Sequence, residues 1–180
     1  AMAHAFAGLM LRVENWAADD DLATAVPFTV EECRYKVREL RKKGDHDAYP
    51  IMLPLQLEKI SYQYERFVDD PLCRHEITLG HDEFGLPVHA ITVSYARRRI
   101  EDDEPPFDDA DEKKWWIDAH DVAQQSYYLK ETFALFIHLN DLQGWRLGLP
   151  FHQRGNALIL PKGAAPEGLN PEDISYKGLI

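Results

Sequence analysis

The chain has 180 residues, a formal net charge of −11 and a hydrophobic fraction of 45%. That length suits one domain with a real core, and the composition excludes a disordered polymer. The acidic excess excludes a nucleic-acid surface and adhesion to anionic lipid, which both need Lys and Arg, and no apolar run reaches the ~18 residues of a membrane span.

Residues 1–8, AMAHAFAG, lack the basic end and long apolar core of a signal peptide. They read as an expression-derived or disordered start, and the expectation is that the chain is a piece of something longer. Residues 9–13 predict a short first strand, and Asp19-Asp20-Asp21 a solvated turn. Residues 28–40 carry two periods. Val30, Cys33, Val37 and Leu40 fit a helical stripe, whereas Cys33, Tyr35 and Val37 fit a strand. The strand propensity of Thr29, Val30, Tyr35 and Val37 favours the strand. Residues 51–57 are extended, but Pro54 removes a ladder donor, so they predict an edge strand or two short pieces.

The stretch 60–99 organises the chain. Ile60, Tyr62 and Tyr64 alternate with polar residues; so do His75, Ile77 and Leu79, and then His89, Ile91, Val93 and Tyr95. Alternation puts one set on each face of a pleated strand. Gly80 and Gly85 bracket the acidic turn His81-Asp82-Glu83-Phe84, because Gly takes positive φ freely and Asp bonds its own backbone nearby. Three consecutive antiparallel strands follow, the last two forming a long hairpin.

In residues 101–112, EDDEPPFDDADE, eight of twelve residues are acidic, which predicts a mobile surface loop. The fixed pattern of a calcium-binding EF-hand is absent. The three arginines Arg97, Arg98 and Arg99 are expected to pair with this loop. Residues 113–122 predict a short helix with Trp115, Ala119 and Val122 on one face. Residues 126–139 read as one long strand or two bent near Glu131-Thr132. Residues 145–149 and 152–160 read as strands split by Pro150. Asn170-Pro171-Glu172-Asp173 is a helix start cut off by the end of the chain. The division expected is a start at 1–8, an antiparallel β segment at 9–100, the acidic loop at 101–112 and a second β segment at 113–180.

The chain carries no nucleophile elbow, zinc-protease helix, phosphate loop or dinucleotide fingerprint. Cys33 and Cys73 match no metal spacing; one bridge or two buried free thiols both remain open. His75 and His89 lie symmetrically about Asp82 and could approach each other across the hairpin. His81 at the turn lies several residues away, which makes a three-histidine site geometrically poor. Among 31 acids nothing singles out a pair for glycoside hydrolysis. Trp115, Trp116 and Trp145 could stack on sugar, although aromatics at strand positions more often fill a core. No catalytic, cofactor or metal residue is therefore assigned.

The same stretch resembles a segment of the B component of bacterial insecticidal toxin complexes, the TcdB-like proteins related to SpvB and RHS proteins. The resemblance rests on Tyr62-Gln63-Tyr64-Glu65-Arg66, Asp70-Pro71, His75, Asp82-Glu83-Phe84-Gly85 and Tyr95-Ala96-Arg97-Arg98. Pro27-Phe28-Thr29-Val30, Tyr35-Lys36-Val37-Arg38, Gly148-Leu149-Pro150, Asn156-Ala157-Leu158, Gly168-Leu169 and Ile174-Ser175-Tyr176 support it. It implies a secreted, non-enzymatic strip of a β-sheet shell. Such a shell joins a C component, encloses its cytotoxic segment and docks on a pore-forming A component. The alternative is a carbohydrate-binding β-sandwich. The fold expected is mainly β: an antiparallel meander sheet, or an open sandwich or barrel-like strip, with one or two short helices. Exposed strand edges also predict self-association.

Overall fold

The computed structural model describes residues 2–17, 26–46, 48–64, 69–100, 102–141 and 144–162. Outside them lie the Asp19-Asp20-Asp21 turn, Glu65 and Arg66 of the central motif, and the helix start at 170–173. Seven strands form: β1 (Arg12–Asn15), β2 (Thr29–Arg41), β3 (Ile51–Gln63), β4 (Leu72–His81), β5 (Pro87–Ser94), β6 (Ser126–Asn140) and β7 (Trp145–Pro161). They build one antiparallel sheet in strict chain order. The mainly β meander expected from the alternation is the fold found. Helix α1 (Met2–Ala5) precedes β1, and α2 (Ala110–Asp118) and a short 3-10 helix (Val122–Gln125) lie between β5 and β6.

Register explains where the core sits, because directly paired residues share a face. One row across the sheet runs Glu32, Ile60, His75, Val93, Leu129 and Leu158. Its neighbour runs Arg34, Glu58, Ile77, Ile91, Glu131 and Asn156. Ile60, His75, Ile77 and Val93 are buried, whereas Leu158 on β7 is 53% exposed. The row behind them is Glu31, Ser61, Arg74, Ser94, Tyr128 and Ile159. That face is polar at its centre, where Lys59 pairs with Glu31 at 2.9 Å and Arg74 with Glu76 at 3.1 Å. One apolar and one solvated face is the usual antiparallel solution.

The β4–β5 turn is built on Asp82. Its Oδ1 accepts from the Phe84 and Leu86 amides at 2.9 and 2.8 Å, and Gly85 takes φ +89°. The register shift beside this turn corrects one expectation. His75 pairs with Val93 and His89 with Gly80, so the two histidines are not opposite one another. The turn centres beyond Asp82, which displaces the symmetry the sequence suggested.

Other expectations need correction too. Residues 2–5 form α1 against β3 in place of an unstructured start. The Tyr35 hydroxyl donates to the Met10 carbonyl at 3.0 Å and anchors this lead. Residues 51–57 continue into β3 as one strand. Pro54 is tolerated because β4 pairs only with Glu58 to Gln63, leaving that half with β2 alone. Pro150 does not split β7 either; it pairs with Phe136 on the outermost strand, beside a register shift. Of the two alternatives for residues 126–139, one long strand is found as β6; its irregularities fall at Leu135/Phe136 and Ile137/Leu139, not at Glu131-Thr132. Helix α2 begins inside the acidic stretch, because the Asp109 carboxylate caps the Asp111 and Glu112 amides. Cys33 and Cys73 are buried and are not bridged by a disulfide.

A Cβ at Gly85 would come within 2.9 Å of Leu53 Cδ2 and 3.0 Å of Leu55 Cδ2, at a positive φ. Gly85→Ala is therefore expected to cost about 2 kcal/mol in urea unfolding, through strain and overpacking together. A change near zero would show that the turn does not bear on the core.

Candidate functional site

The sheet positions four polar clusters, and each has a structural explanation. The most buried lies on β2, β3 and β4. Alternation carries Glu58 onto the same face as Ile60, where its side chain is 2% exposed. Arg34 Nη2 meets its Oε2 at 2.7 Å and keeps its own head in solvent. His75 is fully buried beside them, with Nε2 3.9 Å from Glu58 and Nδ1 3.4 Å from the Tyr95 hydroxyl. Burial first, and then the Arg34 charge, push the His75 pKa down to about 4. The ring is neutral at pH 7 and packs as part of the core.

The second cluster is a staple between chain segments. Buried Asp70 accepts from Arg97 Nε at 2.8 Å and from the Arg98 amide at 2.7 Å. Arg99 lies 3.8 Å from Asp69. Among the described residues the arginine run thus engages the β3–β4 connection in place of the acidic loop expected, because the antiparallel register brings the end of β5 beside the start of β4. The third cluster ties the β4–β5 turn to both flanks. His138 Nε2 lies 2.9 Å from Asp82 Oδ2 and its Nδ1 accepts from the Gly148 amide at 3.1 Å. Arg38 donates to the carbonyls of Asp82 and Glu83. Burial, followed by Lys36 and Arg38, lowers the pKa of nearby His81. The fourth cluster crosses β5, β6 and β7. Glu131 accepts from the Asn156 amide at 2.9 Å and meets His89 Nε2 at 2.9 Å. Asn156 first and His89 second hold its carboxyl below the usual range.

These arrangements bind strands together. Among the described residues no group of three or more His, Cys, Asp or Glu side chains could hold a metal ion. A hollow of about 470 Å³ lies between Phe6, Leu11, Cys33, Tyr35 and Leu57. Its one carboxylate, Glu58, is already neutralised by Arg34. A neighbouring hollow of about 260 Å³ is lined by both Glu32 and Glu58, and each of these carboxylates is met by an arginine, Arg12 and Arg34. Trp115 and Trp145 are exposed, but Trp145 sits beside Asn140 and α2 leads into Ser126, at opposite ends of β6. Sequence reasoning left Glu58 and the Asp70–Arg97 pair unremarked. The parity of Glu58 with Ile60 and Tyr62 was the available signal for the first.

Open, ladder-like and in chain order, the fold makes this chain a strip of extended antiparallel sheet. Residues 1–149 match the family model described as the insecticide toxin TcdB middle/C-terminal region, and the chain belongs to that family. It is a toxin-complex protein of TcdB type. Similar solved structures include the crystal structure of TcdB2-TccC3-Cdc42, with TM-score 0.76 and 32% identity. A second is TcdB2-TccC3 without its hypervariable C-terminal region, with TM-score 0.73 and 31% identity. A third is a Tc holotoxin pore from Photorhabdus luminescens, with TM-score 0.74 and 32% identity. In each case 92% of this chain is covered but only 8% of the other. No curated protein matches the chain significantly.

Two outcomes follow from these clusters. Asp70→Ala leaves the Arg97 guanidinium and the Arg98 amide without their acceptor and is expected to cost about 3 kcal/mol in denaturant unfolding. For His75 the folded pKa lies below the unfolded value of 6.5. Its contribution is therefore fully present above pH 6.5 and lost as pH falls towards about 4, because the unfolded state takes the proton first. Up to about 3 kcal/mol rides on this group. Unfolding curves of His75→Leu across that window are expected to show a flatter pH dependence than the parent chain.

Proposed function

We propose that the chain is a non-enzymatic structural strip of the shell of a secreted bacterial toxin complex. The observation that carries this reading is a seven-stranded meander in chain order, in a family whose solved relatives carry the matching strip as 8% of a much longer chain. The buried groups support it. Glu58, His75 and Asp70 are engaged in ion pairs or packing within the sheet, and such engagement stiffens a wall. On this reading a C component of TccC type completes the shell and its cytotoxic segment is the enclosed cargo. A pore-forming A component receives the assembly and delivers that cargo.

A chimera tests this. The matching 8% of TcdB2 is replaced by this chain and the product is combined with TccC3. The expected result is a stable complex that shields the cargo from added protease as the parental pair does. A folded chimera that fails to join TccC3, or leaves the cargo open to protease, would contradict the proposal. So would substrate turnover by the isolated chain that is abolished by Glu58→Gln.

A further inference from the structure

The outer part of the sheet is pinned at one histidine. Pairing between β5 and β6 ends at His89 and Phe133, so among the described residues 134–140 of β6 run on with β7 as their only paired strand. A two-stranded ribbon is marginal in water by itself. One of its faces carries Leu135, Ile137 and Leu139, all exposed. The other rests on the β4–β5 turn, with the Phe84 ring 4.4 Å from the His138 ring.

Inside this ribbon lies a bulge. Between the pairs Ile137–Leu149 and Leu139–Arg146, β6 has one residue, His138, and β7 has two, Leu147 and Gly148. Gly148 takes φ +74°, the left-handed conformation that glycine adopts freely and that suits a bulge. A bulge leaves its extra residue out of the ladder, so the amide there needs another acceptor. The Gly148 N–H donates to His138 Nδ1 at 3.1 Å. The imidazole thus stands in for the missing ladder carbonyl.

The two partners also fix the tautomer. An amide N–H only donates, so Nδ1 presents a lone pair. A carboxylate only accepts, so Nε2, 2.9 Å from Asp82 Oδ2, carries the proton. The His138 and Asp82 side chains are only 13% and 16% exposed. The turn brings Asp82 to the ring, with His81 beside it and Glu83 exposed. From β2, Arg38 is held on the Asp82 and Glu83 carbonyls, and Lys36 bears on His81. Gly148, Leu149 and Pro150 of β7 carry no charge. A second proton on His138 therefore strengthens the contact with Asp82 and sets one N–H against another at Gly148. Burial first, and then Lys36 and Arg38, keep His81 neutral further into acid than an ordinary imidazole.

We infer that His138 is a proton-operated latch on the β7 bulge. The neutral ring holds the Gly148 amide on one side and the β4–β5 turn on the other. Protonated at Nδ1, it keeps Asp82 and lets Gly148 go. The break falls on β7, so the ribbon loosens from residue 134 outward, whereas residues 128–133 keep paired strands on both sides. The inference concerns the fold of this chain and does not depend on the shell reading.

Nitrogen-15 NMR of the 180-residue chain tests it between pH 8 and pH 5, the span in which imidazoles usually take a proton. At pH 8 the His138 ring is expected to show a bare Nδ1 and a protonated Nε2. As the ring titrates, the exchange protection of the Gly148 amide, corrected for the intrinsic effect of pH on exchange, should fall about fivefold or more, the equivalent of one net hydrogen bond. Amides from Tyr128 to Phe133 should keep theirs. His138→Asn leaves an acceptor near the Nδ1 position and does not titrate, so it should hold Gly148 protected at both ends of the range. His138→Phe has no acceptor and should leave Gly148 poorly protected throughout. Circular dichroism checks that each variant is folded, and the asparagine variant carries the comparison alone if the other is not. A ring with Nδ1 protonated at pH 8 overturns the inference. So does Gly148 protection that stays constant across the titration, and so does an equal fall in His138→Asn, which would place the switch in another group.

Discussion

The structure depends on the cross-strand register that places Ile60, His75 and Val93 in one row. Pleated strands alternate with period two, so a slip of one residue would turn Lys59, Glu76 and Thr92 inward and expose the apolar set. A fully buried histidine tightens that requirement. His75 stays neutral because its surroundings do not solvate a charge, and the Glu58 carboxylate beside it is tolerated because Arg34 meets it from the solvent edge. Moving either strand would leave the Glu58 charge buried without that partner, and an uncompensated buried charge costs several kcal/mol. The polar members of the core thus select the register that the apolar members stabilise.

Burial then fades along the row. It is complete at His75 and nearly so at Val93, and it is lost by Leu158 on β7. Among the described residues the sheet has no second layer of strands, so it ends in an outermost strand exposed on both faces. Such an edge is a template for further pairing or further packing. Pro150, the register shifts and the basic side chains of β7 are features that limit indiscriminate pairing without covering the strand. A strip of this kind is buried at its centre and exposed at its margin.

Much of the centre was legible in the sequence. The alternation from Ile60 to Tyr95 and the glycine-bracketed acidic turn announced three antiparallel strands and a hairpin. The family motifs Asp70-Pro71 and Tyr95-Ala96-Arg97-Arg98 now have a shared physical basis, since the Asp70 carboxylate holds both Arg97 and the Arg98 amide. What escaped was set by non-local geometry. Pro54 and Pro150 looked like breaks, yet each lies where one side of its strand has no ladder to interrupt. The arginine run looked bound to the nearest acids in sequence, whereas the fold brings Asp69 and Asp70 closer. The His75–His89 symmetry failed because the turn consumed its residues unevenly. No local pattern could reveal the exposed ribbon face or the unburied helix, because exposure depends on which elements are missing beside them.

The proposed shell role is tested most directly by where these strands sit in a complete TcdB-type protein. An electron cryo-microscopy map of the full-length parent bound to its C component would decide it. The account predicts seven adjacent strands in the order found here, continuous with a larger sheet that forms the wall around the cargo. Density showing these residues as a detached domain outside that wall, or folded around a bound substrate or metal ion, would contradict it.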